Sequence, residues 1–181
     1  MREWFARRAL DRFAADYHYD VSYMRAMLTA SPAAFFKFAP IMRLAAHRER
    51  APIDALYAAK LVGALCEDCG PCVQLVATMA RRAGVSDADV EAIVRGDEAA
   101  MTADAALGFR FAAALVGKTE ELAAARDAVK ERWGEAGLID LTLGAQVSRI
   151  FPMVKAGLGH AQSCERIRIG DKMVSPSKAA A

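Results

Sequence analysis

An all-α protein is what this chain of 181 residues predicts, and three observations carry that expectation. Hydrophobic residues make up 55% of it, with Ala abundant and β-branched runs short, a composition suited to helices. Apolar residues recur at the spacing of one helix face along most of the chain. Prolines and Ser/Asp caps open these runs, and glycines close them. Together they mark a compact multi-helix domain of about seven to nine helices over 1–170, with 171–181 expected as a disordered tail. Nothing reads as a strand of any length.

In order, residues 3–19 predict a helix carrying Trp4, Phe5, Leu10, Phe13 and Tyr17 among Arg2, Arg7, Arg8 and Arg12. Such a basic, aromatic helix suits a membrane surface or, as the plainer reading, packs its apolar side on the domain or a partner subunit. Asp20 can cap a short helix through Leu28. Ser31-Pro32 supplies a cap and a first-turn proline for a segment with Phe35, Phe36 and Phe38, which Pro40 should kink or split. Pro52 opens a helix to about Cys66, with Ile53, Leu56, Tyr57, Leu61 and Leu65 at core spacing. The next runs from Pro71 to a stop at Gly84, and Ser86-Asp87-Ala88-Asp89 starts a short helix ending at Gly96. Helices over about 103–117 and 119–133 follow, the second broken by Gly134 and Gly137. The last runs from about Leu138 past His160, kinked at Pro152.

Charge and cysteine usage exclude several function classes. Twenty-four basic against 22 acidic residues leave a net charge of +2, too little for a bulk attraction to nucleic acid. The longest charge-free stretch, Cys69 to Ala80, falls well short of the ~20 residues of a spanning helix. The N-terminus lacks the apolar core of a secretory signal. Three of the four cysteines crowd into Cys66–Cys72, which is no secreted disulfide framework, so a cytoplasmic location is expected, with no membrane and no nucleic-acid partner.

The chemistry concentrates in Cys66-Glu-Asp-Cys-Gly-Pro-Cys72. Cys69-Gly70-Pro71-Cys72 is a C-x-x-C at the start of a predicted helix. Free backbone N–H groups and the positive end of the helix dipole favour a thiolate there. Two sulfurs one turn apart can close a short disulfide, and Gly-Pro between them suits a redox pair. Cys69 is expected to be the more exposed sulfur and Cys72 the one tucked inward. Cys66 is either a third redox cysteine or a buried residue of the preceding helix.

Two readings from other classes stand beside this one. Cys66, Cys69 and Cys72 have the C-x₂-C-x₂-C spacing of three iron–sulfur ligands, and His160 or Cys164, one turn apart on the last helix, would supply a fourth. The segment from Leu75 to Gly96 mimics a helix-turn-helix, with Ala80, Gly84 and Val90 at its small, turn and core positions. Its second helix opens with Asp87, Asp89 and Glu91, which phosphates would repel.

The helix from Pro52, the C-x-x-C, the helix ending ARRAGVS and the following DADVEAIVRGD resemble the alkyl hydroperoxidase D / carboxymuconolactone decarboxylase superfamily over about residues 50–163. The resemblance implies an all-α fold, a homo-oligomer (trimer, hexamer or dimer), and thiol-dependent reduction of a small peroxide or disulfide. A dithiol protein would act as reductant, with no cofactor and no metal. The family motif resembles E-x₁₁-C-x-x-C-x-x-x-H. Carried over, its cysteines are Cys69 and Cys72, whereas Tyr57 stands at the glutamate position and Val76 at the histidine. The proton relay therefore needs a substitute. Glu67, Asp68, Gln74 and Thr78 are the neighbouring candidates, and Glu67 joins Cys69 and Cys72 in the expected catalytic set.

Magnitudes show what the relay is worth. Lowering a thiol pKa from ~8.5 to ~7 raises the thiolate fraction at neutral pH about 15-fold. The fall in nucleophilicity, with a Brønsted slope of ~0.4–0.5, takes back roughly fivefold. A positioned acid–base group is worth on the order of 10²–10⁴.

Overall fold

The computed structural model describes residues 1–163 and 166–177. Its helices are α1 (Arg2–Tyr17), α2 (Ser22–Ala30), α3 (Pro32–Phe38), α4 (Ile41–Ala45), α5 (Ile53–Leu65), α6 (Gly70–Arg82), α7 (Asp87–Arg95), α8 (Ala103–Gly117) and α9 (Leu122–Gly157), with a 3₁₀ turn at Glu98–Ala100. Local sequence explains the boundaries. Ser31 Oγ accepts the Ala34 N–H and Pro32 follows it, while Pro40 separates α3 from α4. Ser86 Oγ accepts the Asp89 N–H, and Gly96 closes α7 with φ 68°. Asp20 sits one residue outside the N-cap of α2, and its carboxylate still accepts the Ser22 N–H at 2.8 Å.

α5 is the hub. Nearly every side chain along it is buried, and it packs on α8 and α9. Two glycines allow that closeness. A Cβ on Gly63 would run into the Ala145 carbonyl of α9, and one on Gly108 of α8 into the backbone of Ala55. Around α5 lies the main core, with Leu61, Val62, Ile93, Phe111 and Leu141 fully or almost fully enclosed. A second cluster joins α1–α3 to the start of α6 through Leu10, Tyr19, Tyr23, Leu28 and Phe35, and it contains Cys69 and Cys72. The basic helix α1 thus turns Leu10 inward, leaving Trp4 and Phe5 exposed.

Three expectations need correction. Ile167–Ile169 and Lys172–Val174 form a small antiparallel hairpin, with Ile167 opposite Val174. The alternation of apolar Ile167 and Ile169 before Gly170-Asp171 is a hairpin signal. All three apolar ends are buried in the main core, so residues 171–177 are not a disordered tail; 178–181 lie outside the described residues. The helix expected from Thr119 starts at Leu122, after Lys118 in the left-handed region. The break expected at Gly134 is present, with φ 71° and ψ −175°, so α9 is two helices meeting at a kink; the second begins directly after Gly134 rather than at Leu138, and it stops at Gly157, short of His160.

Candidate functional site

A left-handed residue sets up the cysteine turn. Asp68, at φ 45°, carries the chain from the C-terminus of α5 to the N-terminus of α6; Asp is among the few L residues that visit this region readily. Cys69 is the N-cap of α6, with Gly70 and Pro71 in its first turn. The Cys69 carbonyl accepts the N–H groups of Cys72 and Val73, both at 3.0 Å. The two side chains then meet across one turn, and the Cys72 thiol donates to the Cys69 sulfur.

That arrangement divides the charge. The Cys69 thiol is pulled down to about 7, first by the hydrogen bond from Cys72. Burial opposes this, while the Cys72 backbone N–H and the Lys155 ammonium add to it. Cys72 is pushed far up, because losing its proton would break the same bond and place two anions together in a buried site. Above about pH 7 the pair therefore holds one proton between two sulfurs, with the negative charge favoured on Cys69.

Neither sulfur is exposed. Cys69 keeps 1% of its surface and Cys72 keeps 4%, which corrects the expectation of an exposed Cys69. An apolar cavity of about 380 Å³ has Cys72, but not Cys69, in its wall. Leu10, Phe13, Phe36, Met79 and Phe151 supply much of the lining. Tyr57 and Val76 lie on the same wall system as Cys72, and so does Lys60, 4.7 Å from the Tyr57 ring. Burial first, and Arg48 second, push the Lys60 amine down to about 8.

Polar groups reach the sulfurs from the N-terminal helices and from α9. His18 ends α1 in the left-handed region, and the Tyr19 N–H bonds back to the Ala14 carbonyl, turning Tyr19 inward. Its hydroxyl lies 3.6 Å from Cys72 Sγ. Tyr23 of α2 hydrogen-bonds Tyr19, and burial is the largest cause raising both phenols above the ordinary range. Lys155 of α9 is fully buried, its Nζ 5.0 Å from the Tyr19 ring centre and 5.8 Å from that of Tyr23. At the outer end, Ser22 Oγ bonds Asp20 at 2.8 Å and His160 Nδ1 at 2.9 Å. Burial opposes the ionised Asp20, but the two Ser22 bonds, Lys155 and His160 outweigh it and lower its pKa.

The remaining expected residues have other partners. Glu67 accepts from Arg149 Nε at 2.7 Å and from the Cys66 thiol at 3.6 Å, so among the described residues it serves Cys66 and Arg149 rather than the Cys69/Cys72 pair. Cys66 also donates to the Gly63 carbonyl, and burial pushes its thiol up to about 11, a protonated group at neutral pH. Gln74 is a brace. Its amide accepts the Arg168 N–H and donates to the Arg168 carbonyl, pinning the hairpin over α6. Thr78 donates to the Gln74 carbonyl of its own helix.

Among the described residues, no three His, Cys, Asp or Glu side chains gather to hold a metal ion. Cys164 lies outside the described residues. The acidic start of α7 is engaged internally, Asp87 with Arg81 and Asp89 with Ser86 and Thr102, so no basic recognition helix follows Gly84. No described helix is long and apolar enough to cross a membrane. Sequence reasoning missed Tyr19, Tyr23 and Lys155. Lys155 carried one signal, a lone charge in the apolar run from Ile150 to Leu158.

No family model, curated protein or solved structure matches the chain.

Proposed function

We propose that the protein is a thiol-dependent oxidoreductase that cycles Cys69 and Cys72 between dithiol and disulfide, in the manner of the alkyl hydroperoxidase D-like proteins its sequence resembles. The observation that carries this reading is the hydrogen-bonded pair at the start of α6, one sulfur near pKa 7 and the other facing a cavity. Structural cysteines have no use for a depressed pKa.

Substrate entering the cavity meets Cys72. The shared proton passes to Cys69, and the Tyr19 hydroxyl donates to the thiolate left on Cys72. With a disulfide substrate, Cys72 attacks one sulfur, the S–S bond breaks and the second sulfur leaves as a thiol after protonation. Cys69 then displaces the bound half and closes the Cys69–Cys72 disulfide. With a hydroperoxide, attack on oxygen breaks the O–O bond, gives an alcohol and leaves a sulfenic acid on Cys72. Cys69 resolves it with loss of water. A dithiol reductant restores the pair in either case. The lining favours an apolar substrate body, and a homo-oligomer in the cytoplasm completes the proposal.

The test is turnover of cumene hydroperoxide, hydrogen peroxide and a small aromatic disulfide with a dithiol reductant. Turnover of at least one, abolished in both Cys69→Ser and Cys72→Ser, is expected. Activity that survives both substitutions would overturn the reading.

A further inference from the structure

Lys155 presents an energetic problem that the fold alone does not solve. Its side chain has 0% exposure, and among the described residues its Nζ has no hydrogen-bond partner. A buried ammonium without a hydrogen-bonded counter-ion is costly, because its desolvation is not repaid. The faces of Tyr19 and Tyr23 offset part of that through cation–π contact. Asp20 lies within electrostatic reach, but its oxygens bond Ser22 at the exposed end of the cluster. Among the described residues, the cysteine pair is a further source of negative charge within electrostatic reach of Lys155, which lies over the Tyr19 ring whose hydroxyl meets Cys72. The other titratable groups around it are Tyr19, Tyr23, Asp20 and His160, with Asp68 opposing from the turn before Cys69.

Resting on the redox reading above, we propose that Lys155 is the counter-ion of the reduced cysteine pair and makes it an oxidising couple. Once Cys69 has ionised, the reduced pair is a monoanion that offsets the buried cation. Oxidation removes that anion and leaves Lys155 opposite a neutral disulfide. Reduction by glutathione is then protein disulfide plus two thiols giving protein thiolate–thiol, glutathione disulfide and one released proton. Whatever stabilises the reduced form draws this equilibrium forward, the logic of a strongly oxidising dithiol. Lys155 is a positioning residue in this account. It touches the Tyr19 ring, and its charge acts on sulfurs it does not bond.

The experiment equilibrates the protein with glutathione buffers at neutral pH and counts Cys69–Cys72 disulfide by acid trapping and peptide mass. Lys155→Met removes the charge and keeps the length. Lys155→Gln removes the charge with a polar head, and Lys155→Arg keeps the charge. Both neutral variants should shift the equilibrium toward disulfide by about tenfold, equivalent to about 30 mV for a two-electron couple. They should also raise the pH at which thiolate absorbance appears, while Lys155→Arg stays near wild type. Circular dichroism establishes that each variant is folded. Neutral variants within twofold of wild type, or Lys155→Arg behaving like Lys155→Met, would overturn the role. A wild type forming no Cys69–Cys72 disulfide in any buffer would instead bring down the redox reading itself.

Discussion

The Tyr19 hydroxyl and the Cys72 sulfur lie 3.6 Å apart and come from opposite sides of the second hydrophobic cluster, the turn after α1 and the first turn of α6. This contact brings an O–H group to Cys72, while Val76, one turn beyond Cys72, has no proton to give. Removing the hydroxyl tests it. Tyr19→Phe keeps the ring beneath Lys155 and loses the hydroxyl's bonds to the Cys72 sulfur and to Tyr23. A hydrogen bond to a charged group is worth about 1.5–3 kcal/mol, so turnover should fall roughly ten- to 150-fold at unchanged KM. Steady-state kinetics with a dithiol reductant measure it, and an unchanged turnover number would remove Tyr19 from the chemistry.

The charge on Cys69 predicts a pH dependence. Its folded pKa, about 7, lies below that of a free thiol, so between the two values the folded chain has released a proton that the unfolded chain still binds. Stability of the reduced protein therefore rises with pH through that window and is lost as pH falls through about 7. Thiolate absorbance should titrate at the same point. Cys69→Ser should flatten both curves; a titration unchanged in that variant would assign the thiolate elsewhere.

Asp140 supports the approach to α5 and should be costly to remove. Its side chain is completely enclosed and accepts the backbone N–H groups of Glu49, Arg50 and Ala51, with His47 Nε2 at 3.4 Å. Burial opposes ionisation, but these bonds outweigh it and lower the carboxyl pKa. The stabilisation is present above the ordinary carboxylate range and is lost as pH falls through the depressed value. Asp140→Ala leaves buried N–H groups unmet, and denaturant unfolding should show a loss of about 2–4 kcal/mol.

Gly63→Ala should also destabilise, because its methyl would run into the Ala145 carbonyl of α9. Backbone cannot step aside as a side chain can, so about 1–3 kcal/mol is expected from overpacking. A thermal midpoint equal to that of wild type would show that α5 and α9 part readily.

Much of this was legible in the sequence because it is local. Ser31-Pro32, Pro52, Ser86 and Gly96 fix helix ends through contacts within a few residues, and the structure has them where the sequence indicates. The C-x-x-C at a helix start is legible for the same reason. What surrounds the sulfurs is not local. Tyr19 and Lys155 are far from Cys72 in the chain, and only the packing of α1, α2 and α9 brings them together. Glu67 shows the converse error. Adjacent to Cys66 and close to Cys69 in sequence, it turns toward Arg149 because the left-handed Asp68 reverses the chain between it and the pair. The hairpin of Ile167–Ile169 and Lys172–Val174 carries only a brief signal, the Ile167/Ile169 alternation before Gly170-Asp171, because strands of three residues give little periodicity.

The central claim is that Cys69 and Cys72 form a reversible disulfide, and peptide mapping of protein purified without reductant tests it most directly. Mild oxidation should consume the thiols of this pair and join their two peptides, leave Cys66 free, and reverse on adding a dithiol. Cys69→Ser should lose that oxidation. A thiol loss that persists in Cys69→Ser, or a stable pair of free thiols after oxidation of the wild type, would contradict the account.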